Sequence, residues 1–285
     1  MKLVRYGEKG AEKPGLVDAG GRVRCLANEV PDIDVAALDT ACLARLKTLD
    51  PKTLPLVHPD VRLGVPVSGI GKIMCIGLNY HMHIAETGSE KPSEPMLFMK
   101  ATSSLSGPRD PLLVPRGSVS MDWECELGVV IGTAAKYVSE VDALKYVAGY
   151  TIVNDVSERD FQKKRAGQFT KGKSCDTFCP VGPWVLTADE VADPQDLRVE
   201  TDVNGVSRQD GNTSDMIHSV AKLVSYLSQF MTLYPGDIIA TGTPAGVGAG
   251  MEPPMFLKAG DEVALRISSA SADLGEQCCV CVADD

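Results

Sequence analysis

Short apolar runs separated by turn residues fill most of this chain, and they predict strands far more often than helices. In the first 65 residues the runs give a small meander, Leu3–Tyr6, Gly15–Val17 and Arg22–Leu26 with Gly20-Gly21 as a turn. One helix is expected after it, over Val35–Leu49. Proline and glycine crowd the second half of Pro51–Gly71, which reads as a linker between a small N-terminal domain, residues 1–65, and a main body, residues 66–285. The body carries nine strand-like runs: Lys72–Gly77, Met96–Lys100, Trp123–Gly132, Val147–Asn154, Trp184–Thr187, Leu197–Val203, Asp237–Thr241, Glu262–Ser268 and Gln277–Val282. Its clearest helix is Ser214–Phe230, where Ile217, Val220, Ala221, Val224 and Leu227 recur at helical spacing behind a Thr213-Ser214-Asp215 start. Strands that do not alternate regularly with helices argue for an α+β protein.

Composition narrows the class. With 285 residues, 44% apolar and 23% charged, the chain is long enough to bury a core without a disulfide or metal staple. A net charge of -10 argues against nucleic acid and anionic lipid as partners. The nine cysteines form no C-x-x-C pair, and several sit inside apolar runs, as core thiols of a reducing compartment would. The first residues lack the apolar stretch of a secretion signal, and no run approaches the length of a spanning helix, so a cytoplasmic protein is expected.

Candidate chemistry gathers in four places. In Asp122–Ile131 a strand period of two puts Trp123, Cys125, Leu127, Val129 and Ile131 on the core side and Glu124 and Glu126 together on the other. That face is either a solvated polar face or half of a cation site. Asp155, at the end of the run Val147–Asn154, offers a third carboxylate, and three such oxygens suit Mg²⁺ or Mn²⁺. It could equally cap a helix starting near Ser157-Glu158. If the chain is helical from Tyr80 onward, His83 and Glu86 stand three apart on one face, an arrangement that serves a base or an exposed polar couple. Gly167–Ser174 matches the letters of a phosphate loop, but the polar stretch before it cannot be the required buried strand. What remains there is a basic cluster of Lys163, Lys164, Arg165, Lys171 and Lys173. The Gly-rich turn Thr241–Gly248 could hold a carboxylate on its amides or be only a tight turn.

Seven segments in order, GLNYHMHIAETG, FMKATSS, DWECELGVVIG, GYTIVNDVSERDFQ, GKSCDTFCPVGPW, GNTSDMI and PGDIIATGTPAGVG, resemble the fumarylacetoacetate hydrolase family across about residues 71–282. The N-terminal MKLVRYGEKGAEKPGLVDAGGRVR and the catalytic half are similar to its bacterial subgroup acting on 2,4-diketo-3-deoxy sugar acids from L-rhamnonate or L-fuconate. The resemblance implies a mixed β-sandwich roll, a Mg²⁺-dependent carbon–carbon hydrolase and a homodimer. It implies Glu124, Glu126 and Asp155 as metal ligands, His83 and Glu86 as a lid dyad, and Lys173 as a catalytic cation. Gln162 and Thr243 would then contact substrate, a small diketo acid cleaved to pyruvate and a hydroxy acid such as lactate. Alternatives are an oxaloacetate decarboxylase, a ureidoglycolate lyase-like enzyme, or a non-catalytic metal-binding scaffold. His81-Met82, Phe169 and His218 depart from the family pattern and bear on substrate fit.

Overall fold

A computed structural model describes residues 1–284 and places most strands in two sheets. The larger has nine strands in the order Val23–Cys25, Lys13–Val17, Lys2–Tyr6, Val185–Thr187, Val147–Asn154, Cys125–Ile131, Ile238–Ala240, Ile73–Gly77 and Met96–Lys100. The smaller has five: Val206–Asn212, Arg198–Val203, Glu262–Ser268, Asp273–Ala283 and Leu112–Val114. Most pairings are antiparallel, but Ile238–Ala240 runs parallel to Ile73–Gly77, so the sheet is mixed. This is the expected α+β architecture, a β-sandwich roll with a β-rich N-terminal part.

The strand Cys125–Ile131 is buried on both faces, and this sets where the site lies. Cys125, Leu127, Val129 and Ile131 pack into the core shared with the smaller sheet, against residues such as Val199, Leu265 and Ile267. The even-numbered face is covered in stages. Val130 meets Leu3, Leu16, Leu38 and Leu46 of the N-terminal part. Next comes a small cluster of Cys75, Val153 and Ala240. Beyond it the same face carries Glu126 and then Glu124, where the apolar cover ends.

The N-terminal strands join the larger sheet directly, with Lys2 opposite Leu186, Leu3 opposite Val185, and Thr187 N donating to Met1 O at 2.9 Å. Arg62 ties the same region to the body by gripping Asp110 at 2.6 Å and Glu12 at 3.0 Å.

Two helices begin later than their periodicity predicts, for local reasons. Asp34 draws in the amides of Ala36 and Ala37 as a turn, and Asp39 then caps Thr40–Lys47 by accepting from Ala41 N. In the second, Asn79 accepts His218 N on its side chain and Ile217 N on its carbonyl. That holds the chain extended through Met216, so the α-helix is Val220–Phe230, capped by Ser219.

Candidate active site

Register brings the three carboxylates together. Asn154 pairs with Cys125 across the sheet, and one step further Asp155 N donates to Glu124 O at 3.0 Å. Glu124, Glu126 and Asp155 thereby present oxygens that all lie within 4.8 Å of one another. They are 6%, 2% and 0% exposed, which rules out the solvated-face alternative. Nor does Asp155 cap the following helix; Glu158 does, accepting Phe161 N for Arg159–Lys163.

Three cations face this cluster, and they serve its members unequally. Lys173 Nζ sits 2.7 Å from Glu124 Oε2 and 2.6 Å from Asp155 Oδ2. Lys100 Nζ, itself buried, donates to Asp155 Oδ1 at 2.6 Å and to Val156 O at 3.0 Å. Arg159 reaches Glu124 Oε1 at 2.7 Å and Asp122 at 2.8 Å. Burial works to raise the Glu124 pKa, but Lys173, Arg159 and His83 outweigh it and hold the group ionised well below the ordinary range. Among the described residues Glu126 accepts one hydrogen bond, from the Gly242 amide at 2.9 Å. Burial first, and then the charges of Asp155 and Glu124, push its carboxyl well above the ordinary range. Burial opposes the charge on Lys173, yet Asp155 and Glu124 keep it protonated. A buried all-oxygen set with one carboxylate lacking a cationic partner fits a hard divalent cation. The triad can hold a metal ion.

The imidazole stands on a short helix, His81–Thr87, closed by Gly88 in the left-handed conformation at φ 60. His83 is 7% exposed, and its Nδ1 lies 3.3 Å from Glu86 Oε2. Glu86 Oε1 accepts Gly246 N at 2.8 Å, so the carboxylate is fixed from both sides. The helix is rooted by Asn79, whose amide donates to Thr241 O at 2.8 Å and His218 O at 3.1 Å. Leu78, before it, has φ 54, a conformation costly for a branched side chain.

His83, the three carboxylates, Lys173, Gln162 and Thr243 all border one cavity of about 240 Å³. Its remaining wall is largely apolar: Ile76, Leu78, Met96, Phe98, Phe169 and Val247. Glu86 stands behind His83 rather than in this wall. The Thr243 hydroxyl donates to Cys125 O and accepts from Gln209 Nε2, which fixes its direction. Of the basic cluster, only Lys173 is buried; Lys164 pairs with Asp160 and Lys171 with Arg165 O at the surface. Gly167–Ser174 follows a helix, not a strand, in line with its exclusion as a phosphate loop. Among the departures, Phe169 reaches the cavity and meets Phe98 edge-on at 5.4 Å. His81 and Met82 are exposed on the outer side of the helix, and His218 lies outside the cavity wall.

Lys100, Arg159, Asp122, Asn79 and Gln209 hold positions in or behind the site that no motif in the sequence announces. Lys100 and Asn79 lie inside recognisable segments, but nothing in their local pattern says that they turn inward to meet Asp155 or Thr241.

An all-oxygen triad and a carboxylate-oriented imidazole border one partly open cavity, and together with the chain's family and relatives they mark a hydrolase acting on carbon–carbon bonds of keto acids. Residues 72–282 match the Fumarylacetoacetate (FAA) hydrolase C-terminal family, and the chain belongs to that family. It is 54% identical over 268 residues to a 2,4-didehydro-3-deoxy-L-rhamnonate hydrolase of Sphingomonas sp. SKA58, covering 94% of this chain and 92% of that one. Among solved structures it is similar to fumarylacetoacetate hydrolase from Exiguobacterium antarcticum, at 37% identity, 99% coverage of both chains and a TM-score of 0.86. It is also similar to maleylpyruvate hydrolase from Sphingobium sp. SYK-6, solved with manganese(II) and pyruvate, at 30% identity, 100% coverage of both chains and a TM-score of 0.81. No helix of the described residues is long and apolar enough to cross a membrane.

Proposed function

We propose that this protein hydrolyses a 2,4-diketo-3-deoxy sugar acid, the L-rhamnonate-derived 6-deoxy compound first, to pyruvate and lactate. The observation that carries the reading is the convergence of Glu124, Glu126 and Asp155 on the cavity that His83 overlooks. The Sphingomonas relative supports the choice of tail, and the manganese and pyruvate in the Sphingobium structure support a divalent cation and an α-keto acid for this protein. Glu124, Glu126 and Asp155 would hold Mg²⁺, with Mn²⁺ able to replace it. Such an ion would supply Lewis acidity to a bound α-keto acid and help carry the negative charge that develops as the carbon skeleton breaks.

The chain's own residues do the rest. Lys173, held protonated between Glu124 and Asp155, adds positive charge beside that oxyanion. Gln162 and Thr243 line the space around the acid end and orient it. Glu86 fixes the His83 ring, and His83 takes a proton from the water that attacks the C4 carbonyl. The C3–C4 bond then breaks: C4 leaves as the lactate carboxylate, and C3 takes up a proton to give pyruvate. Phe98, Phe169 and Met96 keep bulk water from the reacting carbons.

The test is product analysis by NMR with a panel of 2,4-diketo acids and Mg²⁺. Equimolar pyruvate and lactate from the rhamnonate-derived acid is expected; no pyruvate from any member overturns the reading. Glu86→Ala should slow this hydrolysis far more than any decarboxylation of oxaloacetate, and equal loss in both would count against the dyad. We further propose a homodimer acting in the cytoplasm; a monomer in sedimentation at micromolar concentration would contradict the assembly.

A further inference from the structure

Asp122 lies next to the carboxylate cluster but faces away from the cavity, and it is 0% exposed. A buried carboxylate must be compensated, so its partners reveal what it organises. Oδ1 accepts Trp123 N at 2.9 Å and Gly248 N at 2.7 Å. Oδ2 accepts Ala249 N at 3.0 Å and Arg159 Nε at 2.8 Å. One side chain thus grips both the arginine that neutralises Glu124 and the loop Gly246–Gly250.

That loop is the dock of the imidazole helix. Gly246 N donates to Glu86 Oε1, and Trp123 Nε1 donates to Gly246 O at 3.1 Å. The fit leaves no slack. A Cβ at Gly250 would lie 2.4 Å from the Glu86 carboxyl carbon, and one at Gly248 would lie 1.9 Å from Met255 O and 2.8 Å from Asp122 Oδ1. Gly246 holds φ 104, and a Cβ there would run into Arg208 O, so only glycine fits this turn.

We infer that Asp122 is a positioning residue that couples the carboxylate cluster to the seat of the His81–Thr87 helix. It fixes the loop that receives Glu86, and so keeps the His83 ring over the triad. The inference rests on the reading of His83 and Glu86 as a water-activating pair for its kinetic consequence, but the mechanical coupling stands without it.

The experiment compares wild type with Asp122→Asn, whose amide would turn an N–H group toward the Gly248 or Ala249 amide or toward Arg159. Backbone hydrogen exchange by mass spectrometry reads the coupling without activity. Exchange in 81–87 and 246–250 should rise at least about tenfold, with Cys125–Ile131 unchanged. Ala249→Pro, which deletes one donor to Asp122 and no carboxylate, should raise exchange in the same two segments and keeps the test available if the first variant folds poorly. Unchanged exchange in 81–87 in a folded variant overturns the inference. With a cleaved diketo acid in hand, Asp122→Asn should lower kcat at least about tenfold with KM within a factor of about three. The loss should shrink to under about twofold in a Glu86→Ala background. Additive losses would overturn it. A wild type that cleaves no diketo acid yet shows the exchange effect would defeat the proposed function and leave the coupling standing.

Discussion

Glu158 and Glu126 are both almost wholly buried, on neighbouring segments of one site, and their surroundings differ sharply. Glu158 accepts from Val119 N, Ser120 N, Ser120 Oγ and Phe161 N at 3.2, 2.9, 2.6 and 2.6 Å. Asp237 is served in the same way, by Lys72 N, Tyr234 N and the Lys72 ammonium. Glu126 receives one amide and faces two like charges. Glu158 and Asp237 are saturated by donors fixed in the chain, whereas Glu126, unlike Glu124 and Asp155 beside it, is left short of them. The unsaturated one stands where the apolar cover of the sheet runs out.

That contrast can be broken at either end. Glu126→Gln should reduce kcat/KM for the diketo acid at least about a thousandfold, because the loss of several kcal/mol of charge stabilisation corresponds to that factor. Its melting temperature without metal should hold or rise, since an amide carries no charge to be buried beside Asp155 and Glu124; a large fall in calorimetry would contradict the comparison. His83→Ala should cost roughly a hundredfold or more in kcat with folding intact, read by steady-state kinetics and circular dichroism. Glu158→Gln should do the reverse, losing about 1–3 kcal/mol in urea unfolding while activity falls by less than about tenfold.

Away from the site, Glu12 and Asp110 give the smallest effect. Burial pushes both carboxyls up, but Arg62, helped by nearby backbone amides, more than reverses this and leaves them below their ordinary 4.5 and 3.8. Their stabilisation is therefore present above those values and lost as pH falls through the lower folded ones. Arg62→Met should be less stable than wild type at pH 7 and lose less stability on acidification below pH 5. Parallel acid-unfolding curves would refute the assignment.

Much of this was legible because it is periodic or local. The alternation in Trp123–Ile131 put Glu124 and Glu126 on one face, and the spacing of His83 and Glu86 anticipated their contact. Whether the acidic face was wet or buried was not, since that depends on Lys100, Lys173 and Arg159, brought onto it from elsewhere in the chain. The same holds for Lys100, Asp122 and Asn79, whose partners lie 55, 126 and 162 residues away. Local propensity also lost to distant contacts at Met216–His218, where Asn79 keeps extended a segment whose spacing predicts helix.

The most direct measurement is a Mn²⁺ titration followed by electron paramagnetic resonance, on wild type and on Glu126→Gln, with and without pyruvate. A single bound ion per wild-type chain is expected, with a spectrum altered by pyruvate, and at least about a hundredfold weaker binding in the variant. Equal binding in both proteins, or none in wild type, would contradict a cation held by Glu124, Glu126 and Asp155.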